Sequence, residues 1–368
     1  MELTGNLLTP DGWCRGRLRF DDRVQEIHGE PIPEPAGGPR ILPGCVDLHV
    51  HGGGGRDVME AGDAPRAMAR AHALTGTTSL LATTMTAPLP EIAAALRAIR
   101  AAMDERRRGE ARILGVHLEG PFLSPGRLGA QPACVIPGDL DAARSLGALA
   151  PIRVLTVAPE IPGHLELIRG LSGDGVRVQI GHTQASYEDV VAALAAGARG
   201  FTHLFNAMTG LHHREPGAAG AALAHADYAE LIPDLIHVHP GAIRAALRCI
   251  PRLYAVTDGT AASGLPDGDY RLGALAVKRC QNSVRLPDGT LAGSCLTMHE
   301  ALRNLVRLGL PLAEASRRTS QIPADYLGVP DRGRLAPGCS ADLLVLEEDL
   351  TLRQVIVEGE PVEGEPGE

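Results

Sequence analysis

Two imidazoles one residue apart, His49 and His51 in PGCVDLHVHGGGG (residues 43–55), end an apolar run and are the first residues in the chain whose types and spacing could do chemistry. Side chains alternate across a strand, so the rings share one face with Cα atoms roughly 6–7 Å apart, close enough to converge on one ion. The glycines that follow let the backbone turn sharply and approach a ligand closely. Alone, the pair is equally a polar strand end with solvated rings. Four residues, each at the expected end of another strand, change that balance: Glu119 in HLEGP, His182 in QIGHT, His203 in FTHLFNAM and Asp258 in AVTDG. Neutral imidazoles and carboxylates suit zinc or a similar divalent ion. Such an ion lowers the pKa of water from about 15.7 towards about 7, and a nearby carboxylate can take the proton and return it to a leaving amine. Asp258 is the candidate for that general base and acid. Glu119, carried off a strand into a Gly-Pro turn, is a candidate ligand.

These residues need a scaffold that brings many strand ends together. From about residue 45 to 335 short β-rich runs alternate with alanine-rich helical runs: CVDLHV, TTSLLATT, ILGVHLE, RVLTVA, RVQIGH, GFTHLF, AELIPDLI and LYAVTD are separated by patterns such as APRAMARAHALTG and YEDVVAALAAGA. Eight parallel βα units are the count of a TIM-like (β/α)8 barrel in the α/β class. The candidate residues then follow strands one, three, five, six and eight. Residues 1–44 and 336–368 read instead as strands and turns, and are expected to join in one small β-sandwich domain flanking a 45–335 barrel, because neither end alone can bury a face. The insertions at 122–138 and 264–293 leave from C-terminal strand ends, where barrels place substrate loops. The acidic EGEPVEGEPGE ending is expected to be disordered.

Composition narrows the classes. The chain has 368 residues and a formal net charge of -9, which argues against a nucleic-acid surface, since phosphate binding needs a basic patch. The one basic cluster, Arg106 to Arg108, follows a helical pattern and is expected to cap its C-terminus. No apolar run of about 18 residues suggests a membrane span, and the opening MELTGNLLTPDGW lacks a signal-peptide pattern. Seven scattered cysteines without a CxxC pair fit a reducing compartment, so the expected location is cytoplasmic. Lys278 is the only lysine, so Schiff-base chemistry or a lysine-derived metal bridge could come from nowhere else. His117 is read as a buried core or second-layer histidine, His212, His213, His225 and His239 as solvated, and His237 as a substrate contact.

In order along nearly the whole chain, PGCVDLHVHG, HLEGPF, IGHT, THLFNAM, HREPG, HVHP, VTDGTAASGLPDG, DGTLAGSCLTM and RLAPGCSADLLVL resemble the amidohydrolase superfamily and, within it, the N-acetylglucosamine-6-phosphate deacetylase family. The resemblance implies a (β/α)8 barrel with a terminal β-sandwich, a homodimer, and hydrolysis of the acetamido group of an amino-sugar phosphate. It makes Glu119, His182 and His203 the principal metal ligands and Asp258 the catalytic acid and base. Because His49 and His51 are intact, one or two ions per subunit are open, with zinc the expected metal. Asn206, the backbone at Ala207, Arg214 and His237 match the family's substrate contacts, and the arginine can reach a neighbouring subunit's site. An arginine suits a phosphate because its planar fork donates paired hydrogen bonds.

Two positions depart from that pattern. Gln131 stands where the family usually has a histidine that touches substrate; glutamine can still hydrogen-bond a hydroxyl or phosphate oxygen but carries no charge. Leu235 stands where a glycine is more usual. Both bear on which amino sugar is preferred, and N-acetylgalactosamine-6-phosphate is the alternative substrate. Cyclic-amide hydrolases that bridge two metals with a carboxylated lysine are disfavoured, since RVLTVAPE has none. A non-catalytic sugar-phosphate binder is disfavoured by the presence of Asp258 and every histidine, and a closed structural zinc site by an extra acid with no structural need.

Overall fold

The computed structural model describes residues 1–364. Eight strands, each followed by a helix, curve into a distorted parallel barrel: Cys45–Val50, Thr77–Thr84, Arg112–Glu119, Ile152–Val157, Arg177–Ile180, Gly200–Phe201, Tyr228–Leu231 and Arg252–Ala255. The first six form one parallel sheet and the last two pair separately. Two seams close the ring: Leu204 N donates to Glu230 O at 2.9 Å between strands six and seven, and Asp258 N donates to His49 O at 2.9 Å between strands eight and one. All eight residues of TTSLLATT are buried, which is why a strand covered on both faces reads as a run rather than an alternation. The outer helices show the opposite pattern. In Leu89–Asp104 the residues Ile92, Ala95, Leu96, Ile99 and Ala102 are buried, one helical face against the sheet. Tyr187–Ala196 is bounded by a capping box of Ser186 and Asp189 and by Gly197 at φ 118°, as start and stop chemistry requires.

Strands six and seven are shorter than the β-rich runs suggest. Past Phe201 the backbone turns at once, with positive φ at His203, Phe205 and Ala207. Past Leu231, Asp234 Oδ1 accepts from the amides of Ile236 and His237 at 2.9 and 2.8 Å, and Leu235 sits at φ 67°. Leu235 thus occupies a left-handed position that glycine fills without strain. The 264–293 insertion folds as a three-stranded antiparallel sheet, Gly268–Leu272, Leu275–Cys280 and Ser283–Arg285.

Both chain ends contribute to a seven-stranded sheet, in the order Glu360–Pro361, Leu352–Val357, Leu343–Leu346, Arg40–Pro43, Glu2–Thr9, Gly12–Phe20 and Val24–Pro31. Its apolar core includes Leu7, Leu18, Phe20, Ile41, Leu343 and Ile356. The acidic ending is ordered as far as it is described, because its glutamates find arginines. Glu358 meets Arg106, Arg112 and Arg332, Glu360 meets Arg106, and Glu363 meets Arg108; residues 365–368 lie outside the described residues. Arg106 and Arg108 therefore tie barrel to terminal sheet. The carbonyls at the end of the preceding helix, Ala101 and Glu105, are taken instead by Arg66.

Candidate functional site

At the C-terminal mouth of the barrel the strand ends deliver five ligand-type side chains and Asp258 to one point. Glu119 Oε1 lies 3.2 Å from His182 Nε2 and 3.1 Å from His203 Nε2, and those two nitrogens are 3.0 Å apart. On the other side His49 Nε2 and His51 Nε2 are 3.2 Å apart, with Asp258 Oδ1 at 3.5 and 3.3 Å and Glu119 Oε2 3.2 Å from His51. Two adjoining three-residue groups result, one of Glu119, His182 and His203 and one of His49, His51 and Asp258, with Glu119 between them. All six residues are buried. His182, His203 and Asp258 leave their strands at φ 47°, 29° and 51°, a left-handed conformation costing an L-residue roughly 1–2 kcal/mol; strain of this kind clusters where a side chain must be aimed.

The donor set fits a divalent cation. His182 Nδ1 is engaged by Arg127 O at 2.8 Å and His49 Nδ1 by Glu230 Oε2 at 2.9 Å. Those partners fix the proton of these two rings on Nδ1 and leave each Nε2 lone pair facing the Nε2 of a neighbour, His203 for His182 and His51 for His49. Nitrogens crowded to about 3 Å repel unless positive charge stands between them. The local field supplies the attraction. Burial works against a charge on His51, yet Asp258 and Glu119 bring its pKa up to about 9, and His49 is raised well above its usual value against the same burial by Glu119 and Glu230. Burial likewise opposes ionisation of Glu119 and Asp258, but the imidazoles around them, His49 foremost, hold both carboxyls below their usual range. A cluster that draws protons onto buried histidines draws a dication by the same field.

A cavity of about 570 Å³ opens over this point, lined by Asp258, Asn206, Ala207, His237 and Gln131 among others. Burial disfavours a charge on His237, but Asp234, with Oδ2 2.6 Å from Nδ1, outweighs it and raises the pKa, and the ring lines the cavity. Asn206 donates to the carbonyls of His203 and Leu204. Both ends of the Gln131 amide are already engaged by protein: Oε1 accepts from Thr86 N at 2.7 Å and Nε2 donates to Glu119 Oε2 at 2.6 Å. Arg214 is exposed beside His213 and does not line the cavity. His117 is buried between Leu48 O and Thr156 Oγ1 and stays neutral, burial and His49 pulling its pKa down to about 4. His212, His213, His225 and His239 are exposed.

Four residues of the site were not singled out from the sequence. Glu230 is fully buried, orients His49, and accepts from His203 N at 3.2 Å; its signal was a carboxylate inside the apolar YAELI. Asp47 accepts from Thr257 Oγ1 at 2.6 Å and from the amides of Thr257 and His49, so it clamps strand one to the segment carrying Asp258. Burial pushes its carboxyl up to about 7, with the Thr257 bonds pulling it back. Arg127 and Arg285 line the cavity from the two insertions, where single arginines in loops give no signal.

Residues 40–362 match the amidohydrolase family. The chain is 40% identical over 341 residues to the N-acetylglucosamine-6-phosphate deacetylase of Vibrio furnissii, covering 90% of this chain and 84% of that one. It is also 40% identical over 367 residues to the N-acetylgalactosamine-6-phosphate deacetylase of Escherichia coli O157:H7, covering 96% and 97%. Among solved structures, an N-acetyl-D-glucosamine-6-phosphate deacetylase mutant from Mycobacterium smegmatis in complex with N-acetyl-D-glucosamine-6-phosphate superposes with TM-score 0.91 at 35% identity over 99% of both chains. The Thermotoga maritima N-acetylglucosamine-6-phosphate deacetylase gives 0.90 at 33%, again over 99% of both.

Proposed function

The chain belongs to the amidohydrolase family, and on that premise we propose that it hydrolyses the acetamido group of N-acetylglucosamine-6-phosphate to acetate and glucosamine-6-phosphate. The observation that carries this reading is the convergence of Glu119, His182, His203, His49, His51 and Asp258 beneath a cavity of sugar-phosphate size. Glu119, His182 and His203 hold the principal ion, for which we propose zinc; His49 and His51 with Asp258 offer a second position. When bound, the ion supplies Lewis-acid polarisation of the amide carbonyl and lowers the pKa of water towards about 7.

The chain's own residues do the rest. Asp258, kept ionised by His49 and His51 despite its burial, takes a proton from the water that attacks the acetyl carbon. It returns that proton to the amide nitrogen as the C–N bond breaks, so the amine leaves neutral. Glu230 and Arg127 O hold His49 and His182 in the required tautomer. His237, held by Asp234, donates to a substrate oxygen. Asn206, the backbone at Ala207, and Arg127 and Arg285 at the mouth provide the polar and cationic groups a phosphomonoester needs.

Arg214, remote from its own cavity, acts in this reading on the site of a second copy in a homodimer. A monomer by light scattering at assay concentration would remove that role. We divide the chain into a catalytic barrel at 45–335 and a sheet domain from 1–44 and 336–368, and place it in the cytoplasm, with an acidic sugar phosphate rather than nucleic acid as its partner.

A second reading, N-acetylgalactosamine-6-phosphate as substrate, is favoured by the equal identity to the Escherichia coli relative. One assay tests both. Acetate release should require the phosphate, vanish on chelation, return with zinc, and fall by about 10²–10⁴ in kcat for Asp258→Asn. Faster turnover of the galactosamine epimer would replace the first substrate with the second, and no turnover of either by the zinc-loaded protein would overturn the deacetylase reading.

A further inference from the structure

Gln131 lines the cavity, but its structural place is not that of a simple substrate contact. It is buried, its relative exposure being 7%. Its amide bridges three elements: Oε1 accepts from Thr86 N just past strand two, Nε2 donates to Glu119 Oε2 at the end of strand three, and its backbone amide closes a turn on Leu128 O at 2.8 Å. Met85 Sδ lies 3.6 Å from Nε2. A few residues back in the same loop, Arg127 O takes the Nδ1 proton of His182. The loop thus touches two of the three principal ligand side chains. In each it engages the atom not used in the contact between Glu119 Oε1 and His182 Nε2, and on Glu119 that oxygen is the one 3.2 Å from His51 Nε2.

We propose that Gln131 is a positioning residue for Glu119, through which the 122–138 loop sets how tightly the metal is held; this rests on the reading of Glu119 as a metal ligand. A buried carboxylate with one oxygen free to rotate must be ordered when an ion binds, and a fixed N–H donor has done that ordering beforehand. The donor's neutrality matters as well. An arginine or protonated histidine there would cancel the negative charge that Glu119 brings to a dication, whereas an amide orients the carboxylate and leaves its charge available. The Thr86 N bond fixes which end of the amide faces Glu119, since a backbone N–H can only donate and so takes the carbonyl end.

The test measures zinc affinity by competition with a chromophoric chelator, without substrate, for the full-length protein, Gln131→Met and Ala133→Ser. Methionine keeps the length and burial but has no N–H; Ala133 is an exposed residue of the same loop. Gln131→Met should weaken zinc by about 10–100-fold. Ala133→Ser, an exposed change that touches neither ligand, should stay within about twofold of the parent. Melting of the chelated proteins separates a folding defect: Gln131→Met also leaves the buried Thr86 N without its acceptor, so it should melt only a few degrees below the parent without zinc and gain a smaller upward shift with it. Unchanged zinc affinity in Gln131→Met with a raised KM would overturn the proposal and restore a substrate contact. Equal weakening in Ala133→Ser, or a chelated Gln131→Met that melts well below the parent, would overturn it in favour of general loop disruption. If the parent itself bound no zinc or other divalent ion, the fault would lie with the metal-site reading instead.

Discussion

At the residue scale, burial decides what each group of the site can be. Glu230 has no exposed surface and two hydrogen-bonding partners that belong to the site, His49 Nδ1 and His203 N. Its charge pulls on the His49 ring and, with His49 holding a metal as proposed, increases the ring's basicity through the shared proton. Glu230→Gln keeps an oxygen for that proton and removes the charge, so metal affinity should drop by about 10–100-fold while the fold is retained. Chelator competition together with far-UV circular dichroism checks this; an unchanged affinity would show that His49 is oriented by packing alone. Glu230 and Gln131 act on opposite sides of the same cluster, one through a histidine and one through the carboxylate.

At the element scale, a parallel barrel places strand ends side by side, and its weakest joins are where ladder pairing stops. The seam between strands eight and one runs through the site: Asp258 N to His49 O, His51 N to Gly259 O at 2.8 Å, and the Asp47–Thr257 clamp beneath them. Thr257→Val conserves shape but removes the hydroxyl donor, leaving one oxygen of a fully buried carboxyl without its partner. A loss of roughly 1–3 kcal/mol is expected from urea unfolding. Because Asp258 is the next residue, kcat should fall more than KM rises. A stability loss with unchanged kcat would mean that the clamp holds the barrel without setting the acid. The shortened strands six and seven follow the same logic: their expected continuations carry His203 and His237 in turns, and a straight strand would point alternate residues away from the mouth.

At the scale of the whole molecule, the barrel and the terminal sheet are joined by partly buried charge as well as by apolar contact. Burial favours the neutral form of Glu358, but hydrogen bonds from Arg112 and Arg332 overcome it and hold the carboxyl at about 2, against an ordinary value of 4.5. A depressed folded-state pKa contributes stability that is present above the unfolded value and is lost as pH falls through the folded one. The melting temperature should therefore decline between pH 4.5 and about 2, and Glu358→Gln should lower it at pH 7 while flattening that decline. Parallel pH profiles for the two proteins would assign the acid sensitivity elsewhere. The sequence by itself determined the eight βα units, the two-ended terminal sheet and which histidines and carboxylates converge at the barrel mouth, because helix and strand periods are local and because a motif fixes which residue leaves each strand end. It could not give the lengths of strands six and seven, the arginine partners of Glu358, Glu360 and Glu363, the engaged amide of Gln131, the exposure of Arg214, or the parts played by Glu230 and Asp47. The Gln131 amide and the parts of Glu230 and Asp47 depend on partners 12 to more than 200 positions away, such as Gln131 with Glu119 and Asp47 with Thr257. Only the closed barrel brings such pairs within hydrogen-bonding distance, and burial there makes an unpaired polar group too costly to leave.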